Sequence, residues 1–442
     1  MTQDVALAIL KSGKNVFLTG SAGTGKTHVL KSFIKYLNKY KISSGITAST
    51  GIAATHINGQ TIHSWVGMGI KDQMSNKDLH FLMLNKALKK KLEKTKVLII
   101  DEISMLHQKQ LNLVDQILQY ANDNLLPFGG KQIVVCGDFF QLPPIGNTYE
   151  QSRDKFAFMG HTWVQSEFNI CYLTKQYRQT ENSLTDVLDA IRNGTITKSV
   201  TELLNKTIKN NISLISPIRL YTHNADVDRI NNIELDKING KAKNFWATTK
   251  GKKELVTTLK KSVIVNEQLS LKIGAKVMFV KNNTDKGYIN GTLGKIIEYS
   301  SLGFPIVKIT GGEEITATTE EWSIDDDKGN SIASFVQIPL RLAWAITIHK
   351  SQGMTLDKAE LDLSKTFEKG QGYVALSRLR DIDNLKLIGF NNTALDIDRL
   401  ALKADKRFRE LSNKLSEEVD LKALLKEELN FKIKAKALKF IK

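Results

Sequence analysis

The sequence predicts an α/β fold: two domains built on parallel sheets, with a small inserted β-barrel and a C-terminal helical tail. Three observations carry this expectation. Short continuous apolar runs at 16–18, 97–100 and 133–136 alternate with helical stretches, as strands buried on both faces of a parallel sheet do. A second alternating region begins near Leu184 and contains runs at 218–222, 359–363 and 385–390. Between them, strand-like runs at 276–280, 294–299, 305–310 and 314–318 are separated by Gly and Asn turns, the texture of an antiparallel barrel. The 442-residue length agrees, since about 150 residues per domain predicts two to four domains. Residues 1–175 are expected to form the first α/β domain, with a small insertion near 65–82. Residues 176–270 and 339–396 form the second, 271–338 the barrel and 397–442 the basic helical tail.

The first chemistry-bearing element is Gly20-Ser21-Ala22-Gly23-Thr24-Gly25-Lys26-Thr27, set between the 16–18 run and a helical segment read from Val29 to Tyr40. Glycines let successive backbone N–H groups curl around a polyphosphate, and the helix N-terminus adds partial positive charge. Gly23, Thr24 and Gly25 make the cradle, Lys26 reaches the β and γ phosphates, and the Thr27 hydroxyl ligates Mg²⁺. The chain is therefore expected to bind and hydrolyse a nucleoside triphosphate.

The 97–100 run ends in Asp101-Glu102, two carboxylates where an α/β sheet presents its reactive groups. Asp101 suits the hydrated metal, and Glu102 suits orienting or deprotonating the attacking water. The third strand runs into Gly137-Asp138-Phe139-Phe140-Gln141-Leu142-Pro143-Pro144, where Gln141 can sense the γ-phosphate and the prolines stiffen the exit. Charge on the transferred phosphoryl group calls for an arginine. Arg178, between the two α/β regions, and Arg378, at a predicted helix, are the candidates.

Composition narrows the partner. With 63 Lys and Arg against 46 Asp and Glu, the formal net charge is +17, which points to a polyanion, nucleic acid before a membrane surface. Thr50, Gly51 and His63 in one segment, and Thr347, His349 and Lys350 in another, supply hydroxyls, a backbone amide, a lysine and ring faces for phosphates and bases. Gly353, at the end of the second segment, is assigned to the nucleotide. Five lysines follow Asn430 with no acidic residue; a solvated tail end is the expectation and contact with a phosphate backbone the alternative. Two cysteines, Cys136 and Cys171, give no disulfide framework and no zinc spacing. With no apolar run of about 20 residues and no signal-peptide pattern, a soluble cytoplasmic protein without membrane partners is expected.

These motifs, in this order, resemble superfamily-one helicases, and specifically the petite-integration-frequency (Pif) family of 5′-to-3′ DNA helicases, with RecD-like proteins as cousins. The resemblance covers residues 3–390. It rests on the phosphate loop, Thr47-Ala-Ser-Thr-Gly-Ile-Ala-Ala54, Gln60-Thr-Ile-His-Ser64, Ile100-Asp-Glu-Ile-Ser-Met105, the 137–144 motif and Thr347-Ile-His-Lys-Ser-Gln-Gly353. Residues 154–173 with Arg178-Gln179 resemble the segment that separates this family from its cousins. The resemblance implies two RecA-like domains with ATP and Mg²⁺ between them, and a Src-homology-like barrel in the second. It makes Lys26, Glu102, Gln141, Arg178 and Arg378 catalytic, with Thr27 and Asp101 on the metal. By the same resemblance Gln3 reads adenine, and Thr50, His63, Phe139, Thr347 and His349 line the DNA. The long N-terminal extension of eukaryotic members is absent, which suits a bacterial or phage, nucleoid-associated form.

The function expected is ATP-driven 5′-to-3′ movement on single-stranded DNA, unwinding duplex, junction or quadruplex DNA, in the setting of DNA repair, recombination and telomere maintenance. The alternatives are an RNA helicase and a nucleotide-switched DNA-binding or remodelling ATPase that does not unwind processively. A monomer is expected in solution, with dimerisation induced by DNA as the alternative state.

Overall fold

The apolar runs of the N-terminal region become one six-stranded sheet of β1 (Val16–Gly20), β2 (Ser44–Ala48), β3 (Gln60–Thr61), β4 (Val97–Asp101), β5 (Gln132–Cys136) and β6 (Asn169–Leu173). Strand order is β3-β2-β4-β5-β1-β6, and every ladder is parallel. The computed structural model describes residues 1–437 other than 70, 145, 147–148, 179–182, 211, 213–216, 264, 284, 310 and 326–330. Gln179 and the last tail lysines, Lys439 and Lys442, therefore lie outside the described residues. Contacts divide the chain into two units, Met1–Ile212 with Ser351–Lys442, and Ser213–Lys350.

In the first unit β1, β4 and β5 are buried at every position, because alternate residues feed cores on opposite faces of the sheet. Phe17, Leu98, Ile100, Ile133 and Val135 join one core, where Phe139, Phe156, Phe158, Trp163 and Phe408 also pack. Val16, Leu18, Val97, Ile99 and Val134 join the other, against Val29, Phe33 and Leu37 of the Lys26–Lys39 helix. Because β5 lies between β1 and β4, the three strands that precede the phosphate loop, the Asp101-Glu102 pair and the Gln141 segment are neighbours. Their carboxyl ends open to one side, the ligand-binding edge of such sheets. The strands Ala359–Leu363 and Leu385–Phe390 add a further parallel pair.

The polar stretch expected as an excursion near 65–82 leads into the helix Asn76–Leu84, which a Ser75–Asp78 capping box starts. Trp65, Met68, Leu79 and Met83 from this stretch are core residues. The C-terminal tail is also part of the unit. Asp398 accepts from Leu400 N and Ala401 N to cap the helix Arg399–Glu418, Phe408 enters the aromatic core, and Ser412 Oγ accepts from Tyr172 N of β6 at 3.0 Å. The helix Leu421–Ala437 buries Leu424 in the second core beside Ile9 and Leu10, and Glu427 pairs with Lys14 at 3.0 Å. Lys432, read as a solvated tail lysine, instead pairs with Glu428 and lies 4.1 Å from the Tyr40 ring centroid.

The second unit holds a parallel pair, Ile218–Tyr221 with Ala345–Thr347, and a small β domain of antiparallel sheets. The five-stranded sheet joins Lys276–Phe279, Leu293–Tyr299, Pro305–Ile309, Glu314–Thr316 and Leu340–Leu342 around Val277, Phe279, Ile296 and Val307. Two further sheets had no legible signal. Ser331–Gln337 pairs with Glu320–Asp325 on one side and Thr248–Gly251 on the other, and Lys243–Trp246 pairs with Gln268–Leu271. The strand Thr248–Gly251 is exposed throughout, so it carries no apolar alternation to read. Among the described residues no helix is long and apolar enough to cross a membrane.

Candidate nucleotide site

The loop after β1 is held open by glycines at positive φ. Gly23 lies at φ 90° and Gly25 at φ 83°, the latter as N-cap of the Lys26–Lys39 helix. A side chain at Gly25 would be strained by that conformation and would collide with Gln3 Nε2. Lys26 Nζ donates to the carbonyls of Gly20 at 2.8 Å and Ser21 at 3.0 Å. Gln3 Nε2 donates to Thr24 O at 3.0 Å, which places this residue against the loop. Thr24 is buried with its hydroxyl donated to Ser21 O, whereas Thr27 is exposed at the first helical turn.

A cavity of about 380 Å³ opens beside the loop, lined by Gly23, Gly25, Lys26, Thr27, Glu102, Gln141, Arg178, Gly353 and Arg378. All of these residues belong to the first unit. The cavity thus gathers all five expected catalytic side chains.

Its electrostatics are set by buried carboxylates beside cationic side chains. Asp101 is 6% exposed, its Oδ1 accepting from Glu102 N at 2.9 Å, and burial raises its pKa above the usual carboxylate range. Burial and the neighbouring Asp101 together raise Glu102. Glu102 sits in a left-handed conformation, φ 52° and ψ 48°, which for a non-glycine residue is a local strain of the kind found at functional sites. Its Oε2 accepts from Gln352 Nε2 at 3.0 Å. Burial lowers the Lys26 ammonium below its ordinary pKa, while Asp138 and Glu102 pull it up.

The arginines are the sharpest feature. Arg378 is 2% exposed and donates to Val374 O, Met354 O and Ser377 Oγ. Arg178 Nη1 donates to Ser377 O at 3.0 Å. Among the described residues neither guanidinium faces a carboxylate partner in an ion pair. Burial and the neighbouring Arg178 bring the Arg378 pKa down to about 10. Glu102 is the nearby carboxylate that offsets both charges, and a buried guanidinium such as that of Arg378 is costly unless anionic groups compensate it. The Gln141 side chain is 6% exposed, and its Oε1 has no hydrogen-bond partner among the described residues.

The expected polyanion contacts are scattered differently. Thr50 Oγ1 accepts from Ala53 N at 3.3 Å, Gly51 is exposed and His63 is half-buried; all three lie in the first unit. Thr347, 3% exposed, and the half-buried His349 and Lys350 lie in the second unit. Phe139, assigned to the DNA by the resemblance, is 6% exposed, its ring packed 4.7 Å from Phe158 and 5.5 Å from Phe17 in the aromatic core. The structure adds residues that the sequence reading passed over. Tyr177, Thr355 and Arg380 line the same cavity, and Tyr373 Oη accepts from Ala22 N in the phosphate loop at 3.2 Å. Tyr373 lies five positions before Arg378, and that proximity was the only signal.

Comparisons with known proteins point to one family. The family model described as PIF1-like helicase matches residues 2–205, and the DNA helicase Pif1 2B domain matches residues 254–299. The ATP-dependent DNA helicase Pif1 of Psychrobacter is 47% identical, over 93% of this chain and 71% of that protein. The crystal structure of Pif1 helicase from Candida albicans superposes with a TM-score of 0.82 at 33% identity, over 92% of this chain and 98% of that one. The Bacteroides Pif1 helicase in complex with ADP-AlF3 and ssDNA gives a TM-score of 0.73 at 34% identity, over 90% and 94% of the two chains.

Proposed function

The chain belongs to the Pif1 family of ATP-dependent DNA helicases, with the two RecA-like parts of that fold, and from that premise we propose that it travels 5′-to-3′ on single-stranded DNA. In this reading it separates duplex, junction and quadruplex DNA ahead of it. The observation that carries the proposal is the convergence of Lys26, Glu102, Gln141, Arg178 and Arg378 on one cavity beside the phosphate loop. Lys26 and the two arginines bind and neutralise the β and γ phosphates, the charge that grows during phosphoryl transfer. Glu102, whose pKa is raised by burial, accepts the proton of the attacking water, and Gln141 orients that water through its unpartnered Oε1.

Thr27 and Asp101 fit Mg²⁺. The hydroxyl is exposed at the loop, and the buried carboxylate lies at the end of a neighbouring strand. Bound there with the nucleotide, the ion would neutralise phosphate charge. Gln3 and Gly353 border the base and phosphates respectively, and Thr50, Gly51, His63, Thr347, His349 and Lys350 contact the DNA backbone. The ADP-AlF3 and ssDNA held by the Bacteroides relative support both ligand classes. A cytoplasmic, nucleoid-associated monomer that pairs on DNA fits the bacterial relative and the basic charge.

The test is strand separation with ATP and Mg²⁺ on two partial duplexes that differ only in a 5′ or a 3′ single-stranded tail, with ATP turnover followed alongside. Unwinding of the 5′-tailed substrate alone is expected. DNA-stimulated turnover with no separation on either substrate would favour a remodelling ATPase instead.

A further inference from the structure

Arg192, 2% exposed, is the bulkiest fully buried side chain among the described residues. It lies on the inner face of the helix Ser183–Asn193, beside Leu188 and Ile191. A guanidinium keeps its charge at any accessible pH, so it is tolerated there only if charge and acceptors surround it. Nη1 donates to Asp138 Oδ2 at 2.7 Å and Tyr373 Oη at 2.8 Å. Nη2 donates to Tyr172 Oη at 2.8 Å and Asp405 Oδ1 at 3.3 Å. The guanidinium lies 4.2 Å from the Phe140 ring centroid. Arg409 Nε donates to Asp405 Oδ2 at 2.7 Å, so two carboxylates face two guanidiniums.

These partners lead into the nucleotide site along separate routes. Tyr373 Oη accepts from Ala22 N of the phosphate loop and donates to Asp138 Oδ2, both at 3.2 Å. Asp138 shapes the turn that carries Gln141, its Oδ1 accepting from Phe140 N and its carbonyl from Gln141 N at 3.0 Å. Tyr373 also sits on the short helix Gln371–Leu376, whose Val374 carbonyl accepts from Arg378 Nε at 2.9 Å. Asp405 comes from the C-terminal helix Arg399–Glu418, which contributes nothing to the cavity lining. Apolar packing generally supplies stability as well as a buried ion cluster does. What the cluster adds is orientation, since a bifurcated guanidinium fixes several acceptors in one plane.

We propose that Arg192 is a positioning residue for ATP hydrolysis. Clamped by Asp405 of the C-terminal helix, it fixes the Gln141 turn, the phosphate loop and the Arg378 segment relative to one another. The helix Arg399–Glu418 thereby acts on turnover without touching nucleotide. The inference rests on the assignment of Lys26, Gln141 and Arg378 to the hydrolytic site.

The test uses the full chain with Arg192→Lys, Asp405→Asn and Asp405→Glu, each measured for DNA-stimulated kcat, KM for ATP, affinity for a fluorescent ADP analogue, and thermal unfolding. Misplacing reacting groups costs rate before affinity. Arg192→Lys and Asp405→Asn should therefore lower kcat about tenfold or more while KM and analogue affinity change less than about twofold. Asp405→Glu, which keeps the charge, should recover most of the loss. In a Gln141→Ala background, Arg192→Lys should add less than its full loss, because the Gln141 turn is one of the three segments it fixes. Asp405→Asn is isosteric, so this variant serves if Arg192→Lys does not fold. A lowered unfolding temperature with wild-type kcat would make the cluster purely structural and overturn the proposal, as would losses that multiply fully with Gln141→Ala. Lys26→Ala is the separate control: if it hydrolyses ATP normally, the site assignment itself falls.

Discussion

Lys26 and Arg178 share one cavity but are placed for different work. Lys26 follows the glycine cradle directly and donates into the loop, the position of a group that, in the proposed reading, meets phosphate in the ground state. Arg178 enters from the segment after β6. In DNA-stimulated ATPase assays Lys26→Ala should therefore weaken nucleotide binding and turnover together while single-stranded DNA binding persists. Arg178→Ala should cut kcat by about 10³-fold or more with a smaller change in KM. Equal effects on KM from both would remove the distinction. Lys350 offers a test of the DNA assignment by pH. Burial lowers its pKa to about 8, so its positive charge is complete at lower pH and is lost as pH rises through that value. If it grips a phosphate, affinity for single-stranded DNA should fall between about pH 7 and 9, and Lys350→Met should flatten that part of the profile.

The Arg399–Glu418 helix shows how an element read as an appendage becomes structural. Its pattern is amphipathic and its composition rich in Lys and Glu, which by itself suits a solvated helix. Phe408 decides otherwise: its ring lies 5.1 Å from Phe17 and 6.0 Å from Phe158, closing the aromatic core over β1. Phe408→Ala should cost about 3–5 kcal/mol in denaturant unfolding, as large-to-small changes of buried aromatic rings do. A cost below about 1 kcal/mol, as at a surface position, would mean that the helix is not part of the folding unit. The same core takes in Phe139, which the resemblance assigns to the DNA: its ring packs against Phe156, Phe158 and Trp163.

At the scale of the whole molecule, the net charge of +17 makes a prediction independent of any single residue. The affinity for single-stranded DNA should fall linearly on a log–log plot against salt, with a slope of about −0.7 per phosphate contacted; a salt-independent affinity would exclude a backbone-tracking motor. Much of the fold was legible because strands buried on both faces leave continuous apolar runs, and β1, β4 and β5 are of that kind. The exposed strand Thr248–Gly251 and the mostly exposed Lys243–Trp246, which contributes only Phe245 to a core, were not, since they carry too few buried side chains to leave a pattern. The phosphate loop, Asp101-Glu102 and Gln141 were legible because each is a contiguous motif whose chemistry is local: glycines at positive φ, carboxylates at a strand end, a polar residue just beyond another. By itself the sequence thus determined the parallel-sheet architecture, the nucleotide chemistry and the basic character. Only the tertiary structure decided that Arg178 and Arg378 share one cavity, that Phe139 is core, and that Ala22 meets Tyr373 and Arg192 meets Asp405. The arginine, Ala22–Tyr373 and Arg192–Asp405 pairings join residues about 200 or more positions apart, and a pairing made only by folding has no period, spacing or composition to announce it.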